Sequence, residues 1–255
     1  MYNFLKYKYF LYRLISNVNF INKKNGIRVL MYHSVGCDVE DDLFNLYNIS
    51  PELFKQHANF WVSKNLKILK LNKDMLKDGI SGTLITFDDG YLNNYLVAEP
   101  ILCKFNIPFT VFISVKNLDK KGFLSLENLK EFSRKDNVTI GSHGLNHLHL
   151  TNLNDTELYD ELYTSKQILE EITQKEVFSI SYPYGSIDMR VRNMAEKVGF
   201  TIGFTSWSNI NNFDCDPLLL SRSTIWSFDN EKVLRQKIEG KWDWMRVRYK
   251  NPSLR

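Results

Sequence analysis

Thr83-Leu84-Ile85-Thr86-Phe87-Asp88-Asp89-Gly90 is the stretch on which the fold of this 255-residue chain turns. A short apolar strand ends in two adjacent carboxylates, and Gly90 allows a sharp exit turn. Further along, Val138-Thr139-Ile140 is a second strand, followed directly by Ser142-His143-Gly144-Leu145-Asn146-His147. Asp-Asp-Gly alone is a common turn sequence, and histidines spaced i, i+4 also occur on helix surfaces. Gly144 and Asn146 make a helix poor there, so the histidine segment reads as a loop. Both segments following strands is far less expected by chance than either alone.

Strand and helix signals alternate outward from this stretch. Ile27–Tyr32 reads as a buried strand ending at His33-Ser34. Ser50 is an N-cap with Pro51 at the first helical position, opening a helix to about Lys64. A short strand is expected at Lys67–Leu69. A helix near Asn93–Phe105 contains Pro100, which predicts a kink or a late start. Strands follow at Ile107–Val115, Val177–Ser181, Thr201–Thr205 and Leu218–Ile225. Helices are expected from Ser125, from Asn154 or Asp155, from Asp188 to a Gly199 stop, and from near Asp229. This pattern is α/β with a parallel sheet, and about seven repeats favour a closed barrel over an open sheet. In barrels the chemistry sits at the carboxyl ends of the strands. His33, Asp88, Asp89, His143, His147 and Tyr184 all lie at or just past such ends.

Two imidazoles and one carboxylate make three ligands for zinc or a similar divalent ion, with a position left open for water. A second, unligated carboxylate beside them is suited to taking that water's proton. On an extended chain the side chains of Asp88 and Asp89 diverge, so one can hold metal while the other faces the water. His149, flanked by leucines, reads as packing or exposed, and His57, inside a helix, as structural.

The net charge of +4 hides an asymmetry. Residues 1–28 carry six Lys/Arg and no acids, and residues 231–255 carry a balance of +5, which leaves the body near −7. The basic ends fit either contact with an anionic membrane surface or a pair of solvated terminal helices. Nucleic acid is not an expected partner, because the body is acidic and carries no nucleic-acid motif. Cys37, Cys103 and Cys215 are odd in number and widely spaced, as free thiols are. Lys6, Lys8 and Arg13 interrupt any N-terminal spanning run, which would need about 20 predominantly apolar residues. A cytoplasmic location is expected, with peripheral contact at the inner membrane face. The expected layout is a basic aromatic extension at residues 1–25, a catalytic domain at 26–228 and a basic helical tail at 229–255.

Thr86-Phe87-Asp88-Asp89-Gly90, Ser142-His143-Gly144-Leu145-Asn146-His147 and Tyr182-Pro183-Tyr184-Gly185 resemble three signature motifs of the NodB-type polysaccharide deacetylases, carbohydrate esterase family 4. They stand in the family's order and span most of the chain. The resemblance implies a distorted (β/α) barrel with seven strands and a divalent metal, most simply Zn²⁺. It implies Asp88 as general base, Asp89, His143 and His147 as metal ligands, and the Tyr184 backbone N–H as an oxyanion donor. The reaction implied is hydrolysis of the N-acetyl group of an amino sugar.

Two departures matter. Ser181 stands where the family usually carries an arginine that orients the base, and Arg222 is the candidate replacement. No histidine follows His149 to serve as general acid. Met31-Tyr32-His33-Ser34 resembles the corresponding stretch of the poly-N-acetylglucosamine deacetylase subgroup, which makes His33 the implied acid. Tyr182, Tyr184, Trp207 and Trp226 are candidate walls for sugar rings, or core. The substrate is a glycan polymer, a lipid-linked oligosaccharide or a nucleotide sugar, three classes the sequence leaves open. A deformylase on the same scaffold and a decayed carbohydrate-binding protein are the alternatives.

Overall fold

The computed structural model describes residues 11–17, 25–38, 42, 44–76 and 80–248. The strands are β1 (Ile27–Tyr32), β2 (Ser34–Val35), β3 (Asn48–Ile49), β4 (Gly82–Phe87), β5 (Phe109–Ile113), β6 (Val138–Ser142), β7 (Ser179–Ser181), β8 (Ile202–Phe204) and β9 (Ser223–Thr224). Seven of them form one sheet in the order β8-β7-β6-β5-β4-β1-β9, while β2 and β3 pair separately. Every neighbouring pair is parallel. β1 and β5 are buried along their whole length, and β4 at every residue after Gly82. Burial on both faces is why these strands read as apolar runs instead of alternating.

The helices are α1 (residues 11–17), α2 (Pro51–Ser63), α3 (Glu99–Cys103), α4 (Leu126–Ser133), α5 (Asp155–Thr173), α6 (Met189–Val198) and α7 (Glu231–Ile238). Their starts follow the capping chemistry. Ser50, Ser125, Asn154, Asp188 and Asn230 each accept a backbone N–H of the first turn, and Ser125 and Asn154 complete capping boxes. Each such cap contributes about 1 kcal/mol. Gly199, at φ 96°, ends α6 in the left-handed region. Pro100 delays its helix: a π-helical turn at Asn94–Ala98 comes first, and the proline falls in the first turn of α3. The strand expected at Lys67–Leu69 reduces to a single bridge, Ile68 to Thr83.

The sheet curls into a half-barrel of seven strands, the distorted barrel expected, with its seam left open between the two edge strands. β8 and β9 are the two edges of the sheet and do not meet in a ladder. The segment between them fills the seam with separate backbone bonds: Gly203 N–H to Pro217, Leu220 N–H to Gly203 and Thr205 N–H to Leu220. Val29, Leu84, Phe112, Phe204 and Leu220 cluster together, while Leu30, Ile85, Val111 and Ile140 belong to the larger cluster with Leu158 and Leu162 of α5. The period of two along β1 and β4 separates these cores.

The boundary expected at residue 228/229 falls inside one polar cluster. Lys237 of α7 pairs with buried Asp229 and donates to the Thr224 carbonyl (2.6 Å). His57 of α2 bonds the Asp229 carbonyl at 2.6 Å, and Arg28 of β1 pairs with Asp243 at 2.7 Å. The described part of the expected tail is therefore docked on the sheet. Most of the expected N-terminal extension lies outside the described residues. Among those described, no helix is long and apolar enough to cross a membrane. All three cysteines are free.

Candidate active site

Asp88 continues the inward parity of Leu84 and Thr86, which carries its carboxylate beneath the mouth of the half-barrel, 2% exposed. There it meets Arg222, which enters just ahead of β9. Nη1 donates to Asp88 Oδ1 and Nη2 to Oδ2, both at 2.7 Å. Nη2 also donates to Ser181 Oγ (2.8 Å), and Nε donates to the Thr205 carbonyl (2.9 Å). Ser181 Oγ donates to Asp88 Oδ2 at 3.1 Å. The guanidinium also lies 5.8 and 5.9 Å from the ring centres of Phe112 and Phe204. Ser181 thus occupies the expected arginine's position while the guanidinium arrives from another strand. Burial alone would raise the Asp88 pKa, but Arg222 and then His143 outweigh it and hold the carboxyl below its ordinary value.

Asp89 does not lie on extended backbone, which corrects the expected reason for the divergence of the two acids. Its φ is 75°, so a left-handed turn swings its carboxylate away from Asp88. His147 (φ 59°) and Tyr184 (φ 57°) share that conformation. Three non-glycine residues in this sparsely populated region meet at one site. Asp89 Oδ1 lies 3.4 Å from His143 Nε2 and 3.2 Å from His147 Nε2, and the two Nε2 atoms are 3.2 Å apart. His143 Nδ1 bonds the Ser181 carbonyl at 2.7 Å, which can only accept, so Nδ1 carries the proton and the Nε2 of the neutral ring is a bare lone pair. Acceptor atoms crowded within 4.8 Å of one another fit a divalent cation of the zinc type. Burial opposes a charge on His143, yet Asp88 and Asp89 outweigh it and raise its pKa. Burial would raise the Asp89 pKa, but the neighbouring imidazoles of His143, His147 and His33 outweigh it and hold the carboxyl well below the usual carboxylate range.

His33, just past β1, lies against Tyr47 with ring centres 4.5 Å apart. Its carbonyl accepts from Asn94 Nδ2 at 2.7 Å, and its Nδ1 is buried without a hydrogen-bond partner. Burial lowers its pKa against the opposing pull of Asp89 and Asp88. A cleft of about 700 Å³ opens over the site, lined by His33, Asp88, Asp89, His143, His147 and Tyr184. Tyr184 is exposed, stacks on His149 at 4.1 Å and places its hydroxyl 3.1 Å from His147 Nδ1.

Two of the expected sugar walls, Trp207 and Trp226, are elsewhere. Tyr182 lines the cleft, yet its side chain is not open to a sugar ring. It is fully buried, with its hydroxyl donating to the Leu218 carbonyl at 2.9 Å. Trp207 is buried in the seam, and Trp226 packs over Lys237 Nζ at 4.3 Å; neither lines the cleft. The aromatic lining is Phe44, Tyr47, Tyr91, Phe123, Tyr182 and Tyr184. His57 is a core group, 2.9 Å from the Tyr32 hydroxyl. Two residues beside the site went unread in the sequence. Asn94 holds the His33 carbonyl, and buried Glu161 of α5 accepts twice from Asn146, at 2.6 Å each. The available signal was a carboxylate set within the apolar stripe Leu158, Leu162 and Leu169.

Fold and site together define a parallel half-barrel that holds an Asp-His-His cluster beside a clamped carboxylate. Residues 77–203 match the polysaccharide deacetylase family. YxkH of Bacillus subtilis strain 168, named as a polysaccharide deacetylase, is 31% identical over 192 residues, 72% of this chain and 66% of that one. The poly-beta-1,6-N-acetyl-D-glucosamine N-deacetylase of Staphylococcus aureus strain MSSA476 is 24% identical over 213 residues, 76% of this chain and 70% of its own. The structure of Streptococcus pyogenes deacetylase PplD in complex with acetate superposes with a TM-score of 0.77 at 23% identity, covering 84% of this chain and 98% of that one. The chain belongs to the polysaccharide deacetylase family. It spans about two thirds of the length of the Bacillus relative.

Proposed function

We propose that this chain is a divalent-metal-dependent hydrolase that removes N-acetyl groups from a glycan of N-acetylglucosamine type. The observation that carries the reading is the Asp89-His143-His147 cluster, with donor atoms within 4.8 Å, set beside an Asp88 gripped on both oxygens by Arg222. The staphylococcal relative, which acts on poly-β-1,6-N-acetylglucosamine, supports the substrate class.

Asp89, His143 and His147 would hold the ion, with Zn²⁺ as the proposed metal. Bound there, it would polarise the acetamide carbonyl and lower the pKa of water from 15.7 toward roughly 7. Asp88 is the proposed base: its carboxylate takes the proton of the attacking water, and Arg222 and Ser181 keep it ionised and oriented. Tyr184 lines the cleft from a left-handed turn, and its backbone N–H is the proposed donor to the oxyanion. His33, across the cleft, is the proposed donor of the proton that the departing amine takes up. The intact Asp88–Arg222 pair supports an active site over a decayed one.

The test is product analysis on β-1,6-linked glucosamine oligomers, N-acetylated and N-formylated in parallel, with the parent and Asp89→Ala. Acetate released by the parent and lost in the variant is expected. Formate alone would make the chain a deformylase. No product, with equal sugar binding by both proteins, would make it a binding protein.

A further inference from the structure

The loop that carries His143 and His147 is held from behind by a polar stripe on α5. Glu161 is 3% exposed, and both of its oxygens are engaged by one residue of that loop. The Asn146 backbone N–H donates to Oε1 and Asn146 Nδ2 donates to Oε2, each at 2.6 Å. One turn further along α5, Ser165 grips the loop's base. Ser165 Oγ donates to the Leu162 carbonyl (2.8 Å), so its proton is committed. Ser142 Oγ, 2.9 Å away, must therefore donate to Ser165, and it accepts in turn from the Gly144 N–H at 3.1 Å. The result is a directional chain from the loop backbone through two hydroxyls to the helix.

The loop needs such a grip. Gly144 (φ 79°) and His147 (φ 59°) both adopt left-handed backbone, and for histidine this costs roughly 1–2 kcal/mol. A Cβ on Gly144 would lie 2.9 Å from Glu161 Oε1, so loop and carboxylate are in close contact. Asn146 immediately precedes His147, and fixing both its backbone and its side chain fixes the direction of the next imidazole. A leucine at 161 would satisfy the core as the stripe Leu158, Leu162 and Leu169 does. A buried carboxylate has to be justified by its partners, and both of its bonds run to this loop.

We propose that Glu161, assisted by Ser165, is a positioning residue that sets the His143–His147 loop in its cation-binding geometry. This rests on the metal reading given above. The experiment titrates Zn²⁺ alone into chelator-stripped protein, with a competing chromophoric chelator, and records thermal unfolding in parallel. Glu161→Ala is expected to weaken Zn²⁺ binding by roughly 10- to 100-fold, the scale of removing a partner behind a metal ligand. Glu161→Gln is expected to recover most of it, because its carboxamide oxygen still accepts the Asn146 N–H and the Asn146 amide can rotate to meet the other end. Ser165→Ala should weaken binding less than Glu161→Ala. Should Glu161→Ala fail to fold, Asn146→Ala decides: it removes one of the two bonds from the half-buried loop side and is expected to weaken Zn²⁺ binding by roughly tenfold. Folded variants that melt lower but bind Zn²⁺ as the parent does would overturn the proposal and leave Glu161 a purely structural group. A parent that binds no Zn²⁺ would overturn the metal reading itself, a separate and distinguishable result.

Discussion

Arg222→Ala tests how the site is held together. The guanidinium is 1% exposed and makes bonds to both Asp88 oxygens, to Ser181 and to the Thr205 carbonyl. Its removal leaves the buried carboxylate with the Ser181 hydroxyl as its one remaining hydrogen-bond donor among the described side chains. Removing one partner of such a pair costs about 3–5 kcal/mol, because the desolvated charge loses its compensation. In a chain of this size each kcal/mol moves the melting temperature by roughly 2–4 °C, so a fall of roughly 6–20 °C is expected. Turnover should also fall, by up to the roughly 10²- to 10⁴-fold that a positioned base contributes. The assay is urea unfolding of Arg222→Ala, Asp88→Ala and the double variant, with acetate release measured on each folded protein. The double variant should be less destabilised than the sum of the singles, since each single strands a buried charge that the double removes. Strictly additive losses, or an Arg222→Ala protein that melts and turns over like the parent, would refute the clamp.

Asp88→Asn should keep the parent's Zn²⁺ stoichiometry and lose most of kcat; unchanged turnover would remove Asp88 as the base. His33→Ala should depress kcat more than it raises KM, and an unaltered pH–rate profile and turnover would return His33 to the wall of the cleft. His57 contributes to the pH dependence of stability: burial lowers its pKa from 6.5 to about 4. Between those values the unfolded chain binds the extra proton, so the stabilisation is fully present above pH 6.5 and is lost as pH falls toward 4. The loss amounts to about 3 kcal/mol. Urea unfolding at pH 7 and 4.5 should show a smaller acid loss in His57→Gln than in the parent, and equal losses would contradict the assignment.

The strand–helix order was legible because parallel strands buried on both faces leave apolar runs, and because Ser50, Ser125, Asp188 and Gly199 mark helix ends by local chemistry. The seam was not legible. Whether β8 and β9 meet depends on how far the sheet curls, which no residue in either strand encodes. The Asp-Asp-Gly and His-Gly-Leu-Asn-His segments pointed to the site because a metal cluster needs those donors at strand ends. Two of the aromatic walls failed for the opposite reason: Trp207 and Trp226 are large enough to serve as core or as cleft, and only the path of the chain around the seam decides which. Arg222 was reached from a vacancy at Ser181, and its guanidinium lies on Asp88 across 134 positions of sequence. Glu161 was passed over because a glutamate in an acidic helix reads as solvated until its burial is seen.

Acetate release from N-acetylglucosamine oligomers, measured on one preparation before chelation, after chelation and after return of one equivalent of Zn²⁺, tests the central claim most directly. The account predicts full activity, near-complete loss and recovery, with Asp89→Ala inactive throughout. Stripped protein that releases acetate at the original rate would contradict it.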